Sequence, residues 1–415
     1  MLKNFTQEEK SWILYDWANS AYSVVITAAI LPIFFKTMAK SAGISSNIAD
    51  SYWGYGNSIA TLIVAILAPI LGTLGDYKGK KMQLFKFFFI IGVLSTAALS
   101  FTNQWLAILI IYMITVVGFS AANLFYDAFL VDVTTEDRMD YVSTYGFALG
   151  YIGGSTIPFI VSIGIIMFGS KIGISSGFAV KLSFIITAVW WAAFATPMLK
   201  NVKQLHYIES QPNLLADSFS RLYGTFKNIR QYKSVFVFLL AYFFYIDGVN
   251  TIIHMATVYG DSVGVDSNSL LLALLMTQIV AFPFAILYGK LAKKLGSRNM
   301  ILIGIVIYIV ICFVGYNMKS ALEFWLLAFL VATSQGGIQA LSRSYFGKMV
   351  PKDKANEFFG FYDIFGKFAA IMGPALYAFF SQITGQSRYG VLSVMLLFLV
   401  GGAIMIFAVP KDVKA

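Results

Sequence analysis

Charge is what this sequence has least of. Asp, Glu, Lys and Arg together make up 12% of its 415 residues, about half of the roughly 25% carried by a soluble domain. A water-facing surface cannot be covered with so few charges, so something apolar must surround the chain, and lipid is the economical choice. The rest of the composition agrees, with 58% hydrophobic residues and a mean hydropathy of +0.75. Cysteine is nearly missing. With Cys312 alone, a disulfide framework and a thiolate metal site are both excluded. The two histidines, His206 and His254, are too far apart to form a metal pair at helical spacing. No HExxH, no GxSxG and no GxxxxGK-type phosphate cradle occurs, which argues against a membrane enzyme and against ATP bound by this chain. No cofactor and no metal are expected.

What the sequence has in quantity is long apolar runs. Runs of about 20 residues suffice to cross a ~30 Å hydrocarbon core as helix. They fall near 12–36, 50–74, 84–102, 105–130, 142–168 and 179–199, then near 234–258, 268–291, 299–317, 322–345, 357–381 and 388–409. The first run is longer than the apolar core of a signal peptide, about 7–15 residues, and contains Asp16; it reads as a retained helix. Twelve transmembrane helices in an all-α membrane protein are expected.

Orientation follows from the basic residues. Of the 30 lysines and arginines, Lys36, Lys40, Lys171, Lys181, Lys319 and Arg388 fall in one set of loops and Lys367 lies within a run. The other 23, Lys411 and Lys414 among them, gather on the side of the N-terminus. That side is expected to be cytoplasmic, with both termini on it, in a plasma (inner) membrane. The net charge of +10 is thereby divided among loops, so nucleic acid is not expected as a partner.

The two halves of the sequence repeat. Gly72 and Gly79 match Gly289 and Gly296 at an offset of 217, while Gly150 and Pro158 match Gly366 and Pro374 at 216. Asn123-x3-Asp127 likewise matches Gln339-x3-Arg343 at 216. Two six-helix, pseudo-symmetric bundles, 1–199 and 234–415, are expected, with a cytoplasmic linker over 200–233. Same-orientation repeats are a transporter architecture, with the substrate near the bilayer midplane. Within the linker, Leu215, Phe219, Leu222, Phe226 and Ile229 recur every three or four residues among lysines and arginines. An interfacial helix and a flexible linker are both compatible with that pattern.

The turn Gly72-x-Leu74-x-Asp76-x-x-Gly79-Lys80-Lys81 resembles the signature loop of the major facilitator superfamily. The resemblance implies the major facilitator fold and a gate in which the acidic residue and its basic neighbours lock the cytoplasmic side. Tyr77 stands where a basic residue is usual, and Lys293 replaces the acid in the second copy, which implies a lopsided gate. More narrowly, Tyr15-Asp-Trp-Ala-Asn-Ser-Ala-Tyr22, Asp247-Gly-Val-Asn250 and Phe358-Phe-Gly-Phe-Tyr-Asp-Ile-Phe-Gly-Lys367 resemble the vacuole-effluxer family. That family includes fungal autophagy-related exporters of amino acids, so the resemblance implies export of an amino acid or similar zwitterion.

Charged groups at helix centres cost ~2.5–3.5 kcal/mol on insertion scales, so they face a cavity or a partner. Asp16, Asn19, Ser20, Ser23 and Thr27 share one helical stripe at 100° per residue, as do Asp247, Asn250 and His254. These faces, with Asn123, Gln335 and Gln339, are candidates for binding a polar or zwitterionic substrate; helix–helix hydrogen bonding is the structural alternative. Asp16 sits about four residues into its run, roughly two turns shallower than Asp247, so the two are not expected to reach one small molecule at once, and Asp16 suits the cytoplasmic mouth instead. Asp127 and Arg343 are expected either to pair as a latch when that side closes or to stand as separately solvated ends. Asp363 and Lys367, four apart, fit a local ion pair or a gate contact with the Asp76 loop. Gly146, Gly150 and Gly154 fit close helix packing. A proton or another ion is the open coupling partner, through His254 or elsewhere. A small-molecule carrier acting as a monomer is the leading expectation; a lipid or lysolipid carrier and a non-transporting sensor remain the alternatives.

Overall fold

The computed structural model describes residues 2–209, 213–262, 264–318 and 320–410. Lys319, Lys411 and Lys414 of the charge argument lie outside the described residues, as do the side chains of Leu215, Phe226 and Ile229. Among the described residues, twelve helices are long and apolar enough to cross a membrane. They are Gln7–Ser41, Ile48–Gly75, Lys80–Phe101, Trp105–Val133, Met139–Ile172 and Ser176–Asn201, then Arg230–Ala256, Leu272–Leu295, Ser297–Asn317, Leu322–Met349, Lys352–Thr384 and Ser387–Phe407. We number them as spans one to twelve. A shorter linker helix, Leu214–Lys227, lies between spans six and seven. The twelve-helix expectation holds.

Local chemistry explains where several spans begin. Span one starts five residues before its apolar run because Thr6 and Glu9 form a capping box: Glu9 N–H donates to the Thr6 hydroxyl at 3.2 Å and Thr6 N–H to Glu9 Oε2 at 2.9 Å. Ser320 and Glu323 repeat the device at span ten. The repeat-related glycines Gly79 and Gly296 both adopt positive φ, 73° and 83°, a region open to glycine without steric cost. Each reverses the chain between two spans.

Two spans contain π-helical stretches. Span one is π-helical over Ser23–Ala29, and span five over Gly150–Thr156. Hydrogen bonds from i to i+5 add a residue per turn there.

The chain gathers into two compact units. One comprises Met1–Val133, Leu149–Phe219 and Lys352–Gly360; the other comprises Thr134–Ala148, Ser220–Pro351 and Phe361–Ala415. The first turns of span eleven therefore belong with the first half of the sequence, and the first turns of span five with the second. The first unit is packed around Trp12, Tyr15, Tyr22, Phe85, Tyr126 and Trp191. The second is packed around Phe238, Tyr245, Tyr308, Tyr345, Phe346 and Phe398. Large apolar side chains such as Ile66, Leu94, Phe313 and Phe407 stay exposed along the spans, as lipid-facing residues do.

Candidate functional site

In the first unit, Asp16 and Asn19 are buried, and Asn19 Nδ2 donates to Asn123 Oδ1 at 2.8 Å, tying span one to span four. Span five makes this burial feasible because it has no side chains in the way. A Cβ on Gly150 would lie 2.7 Å from Ser20 Oγ, one on Gly154 2.6 Å from Trp17 O, and one on Gly153 would overlap the Trp17 ring. The Trp17 indole N–H is buried and has no hydrogen-bond partner among the described residues. Along the stripe drawn on span one, Asp16 and Asn19 are buried, Ser20 is half-buried, and Ser23 and Thr27 are exposed; from Ser23 onward the helix is π-helical.

In the second unit, Asp247 is completely buried and faces span eleven. Its Oδ1 and Oδ2 accept the Gly373 N–H at 3.0 and 2.8 Å, and Thr251 Oγ1 donates to Oδ1 at 3.4 Å. Gly373 precedes Pro374, inside the helix Ala355–Thr384. Any side chain at 373 would run into Thr251 and come within 2.8 Å of Asp247 Oδ1. On the same helix, Asn250 is half-buried and His254 exposed. On span ten, Gln339 Nε2 donates to the Gln335 carbonyl at 3.0 Å. Gln335 is buried, and its own Nε2 has no hydrogen-bond partner among the described residues. Gly373 and Thr251 were not singled out from sequence, although a glycine before an intramembrane proline was visible.

Several of the residues expected to gate the cytoplasmic side fall into two clusters. In the first unit, Asp76 Oδ1 accepts from Asn356 N and Asn356 Nδ2, both at 2.9 Å, and Oδ2 accepts from Glu357 N at 3.3 Å. A carboxylate thus caps the helix Ala355–Thr384, satisfying first-turn N–H groups that helix geometry leaves open. A Cβ on Gly72 would lie 2.5 Å from the Asn356 carbonyl, so that glycine is required by close backbone approach. Lys81, expected to serve the turn, reaches Asp132 at 2.6 Å with both side chains fully buried. Lys80 donates to Gln83 at 3.3 Å. Tyr77, in place of a basic residue, is buried and donates its hydroxyl to Asp217 of the linker helix. On the exposed edge Lys78 hydrogen-bonds Glu209 at 3.1 Å, and that bond, with the charge of Glu209, raises the lysine pKa.

The second cluster is organised by Asp140, which sequence reasoning passed over. It accepts from Ser344 Oγ at 2.6 Å, Ser297 Oγ at 2.7 Å and Lys348 Nζ at 2.6 Å. Arg343 donates to Ser143 Oγ at 3.0 Å and to Ser143 O at 3.2 Å, and its guanidinium stacks over Phe147 at 4.5 Å. Its described partners therefore come from span five. Asp127, on span four, is half-buried. Asp363 and Lys367 form the local ion pair at 2.7 Å. The contact between span eleven and the Asp76 loop also exists, but Asn356 and Glu357 make it. Among the described residues no group of His, Cys, Asp and Glu is arranged to hold a metal.

Twelve spans with this repeat, and a glycine turn whose acid caps another helix, define a transporter of the major facilitator type. The chain belongs to the vacuole effluxer Atg22-like family, whose model matches residues 45–413. It is 55% identical over 99% of its length to YxiO, an MFS-type transporter of Bacillus subtilis, and covers 97% of that protein. It is 24% identical to Autophagy-related protein 22 of Saccharomyces cerevisiae, over 96% of this chain and 90% of the relative. The fold matches that of the human organic anion transporter MFSD10, with a TM-score of 0.75 at 11% identity, covering 96% of this chain and 98% of the other. The relatives are named as transporters and effluxers, and the protein is a multi-pass membrane transporter, not an enzyme.

Proposed function

We propose that the protein moves a small zwitterion of the amino acid type across the plasma membrane, by alternating access and at the expense of an ion or substrate gradient. It acts as a monomer, with both termini and the lysine-rich loops in the cytoplasm. Gln335 carries this reading. A buried amide left without an acceptor costs about 1–3 kcal/mol, so a transporter that keeps one has a use for it, and a substrate carboxylate is a suitable acceptor. Gln339 and Asn250 lie on the same unit and add polar groups to it. Ser23 and His254, both exposed, extend the polar surface of spans one and seven. The name of the family, vacuole effluxer, supports transport of a solute as the function.

The capped start of span eleven supplies the switching element. Asp76 holds that helix to the loop of spans two and three, and releasing one carboxylate from three N–H donors is a discrete change of state. The test is efflux of radiolabelled amino acids from liposomes that contain the purified protein, with Gln335→Leu alongside. Gradient-dependent movement that Gln335→Leu weakens is expected. Inactivity across a broad amino acid panel, beside a working control transporter, would refute the substrate class.

A further inference from the structure

The linker between spans six and seven is fastened to the signature turn at two places. Its first part, residues 202–209, lies along the turn. Ile208 pairs in parallel with Tyr77: Ile208 N donates to Asp76 O at 2.8 Å and Lys78 N to Ile208 O at 3.0 Å. Gln204 Nε2 donates to Gly75 O at 3.0 Å, and the N–H groups of Leu205 and His206 donate to Asp132 Oδ1 at 3.0 and 2.9 Å. The second fastening is the Tyr77 hydroxyl on Asp217, in the first turn of the linker helix.

The helix so fastened, Leu214–Lys227, exposes the wrong side chains for water. Ser218 and Thr225 are buried, whereas Phe219 is 54% and Tyr223 69% exposed. Those two aromatics are four residues apart and share a face. From Leu214 to Lys233 the sequence holds one acid, Asp217, which Tyr77 engages, against four bases, Arg221, Lys227, Arg230 and Lys233. Span six ends at Asn201 and span seven begins at Arg230, so both ends of the linker are tethered to the membrane boundary. Exposed aromatics flanked by bases at that depth match a leaflet carrying anionic headgroups.

We propose that the linker helix docks on the anionic lipid surface and that this docking tightens the Asp76 turn through Tyr77–Asp217 and the 202–209 strap. The bilayer's charge then sets how firmly the gate segment is held. The proposal needs the membrane topology but not the identity of the cargo.

Hydrogen exchange on the full-length protein in nanodiscs tests it, comparing phosphatidylcholine alone with phosphatidylcholine plus phosphatidylglycerol. In the anionic discs, amides of 214–227 are expected to exchange several-fold more slowly, and the slowing to extend to 202–209. The exposed-charge variant Lys227→Glu/Arg230→Glu should lose both effects. Tyr77→Phe should keep the slowing in the helix and lose its spread to the strap. Identical exchange in the two discs, or slowing that survives the charge reversal, would overturn the docking. Equal spread in Tyr77→Phe would overturn the coupling. A folded monomer peak on size exclusion qualifies each variant, and Phe219→Ser/Tyr223→Ser, expected to weaken helix protection likewise, replaces any that fails it.

Discussion

Asp140 and Asn356 occupy repeat-related positions, 216 residues apart (356 − 140), at the starts of spans five and eleven, and they play opposite parts. Asn356 donates its backbone and side-chain N–H groups to an acid on the turn, Asp76. Asp140 is itself the acid and accepts from the opposite turn through Ser297 and from span ten through Ser344 and Lys348. The acid missing at Lys293 has a counterpart in Asp140 at the start of span five. The negative charge has moved from the turn to the helix start, and Lys348, the repeat mate of Asp132 (348 − 132 = 216), has changed sign with it.

The first cluster should weaken locally. Asp76→Ala removes the acceptor of first-turn N–H groups, which costs about 1 kcal/mol at a helix cap. Hydrogen exchange of residues 355–360 should rise while that of span twelve is unchanged; equal exchange in both would contradict the capping role.

The buried pair Lys81–Asp132 should respond more strongly. Asp132→Ala leaves the Lys81 ammonium in a fully buried site, a change that costs about 3–5 kcal/mol. A large fall in thermal midpoint is expected in detergent. Lys81→Met/Asp132→Ala, which removes both charges, should regain a substantial part of it.

Gly373→Ala tests the Asp247 contact. The added methyl meets Thr251 and Asp247, and overpacking of this kind costs about 1–3 kcal/mol. Thr251→Ala in the same chain should restore part of the lost stability, whereas a distant small substitution such as Ser393→Ala should restore none.

Gln335→Leu separates binding from folding. Its side-chain amide N–H makes no described hydrogen bond, so the thermal midpoint should hold or rise slightly. If the amide serves the substrate carboxylate, KM for efflux should rise about tenfold, the worth of a charged hydrogen bond near 1.5 kcal/mol. An unchanged KM would remove Gln335 from the binding residues.

The spans were legible because lipid imposes one requirement on every one of them, about 20 apolar residues in a row. Their ends were less so. The run beginning at Trp12 gave no sign of the polar turn before it, since the Thr6–Glu9 capping box stabilises a helix end without adding hydropathy. Asp16, Asn19 and Asn123 were visible as polar residues in apolar surroundings, and two of them do meet. Asp140 was overlooked because it sits at a span end, where acids are unremarked; applying the 216-residue offset to Asn356 would have found it. The π turns escaped for a different reason. A stripe drawn at 100° per residue presumes α geometry, and the close-packed Gly150, Gly153 and Gly154 were the only local hint that span five bends that rule.

Because Asp132, Gly75 and Asp76 spend their acceptors on residues 204–208, the N-terminal half cannot be cut free at the end of span six without stripping its own turn. A two-fragment version of this carrier, co-expressed from separate reading frames, would have to leave residues through at least Ile208 on the first piece and, to retain the Tyr77 grip, through Asp217.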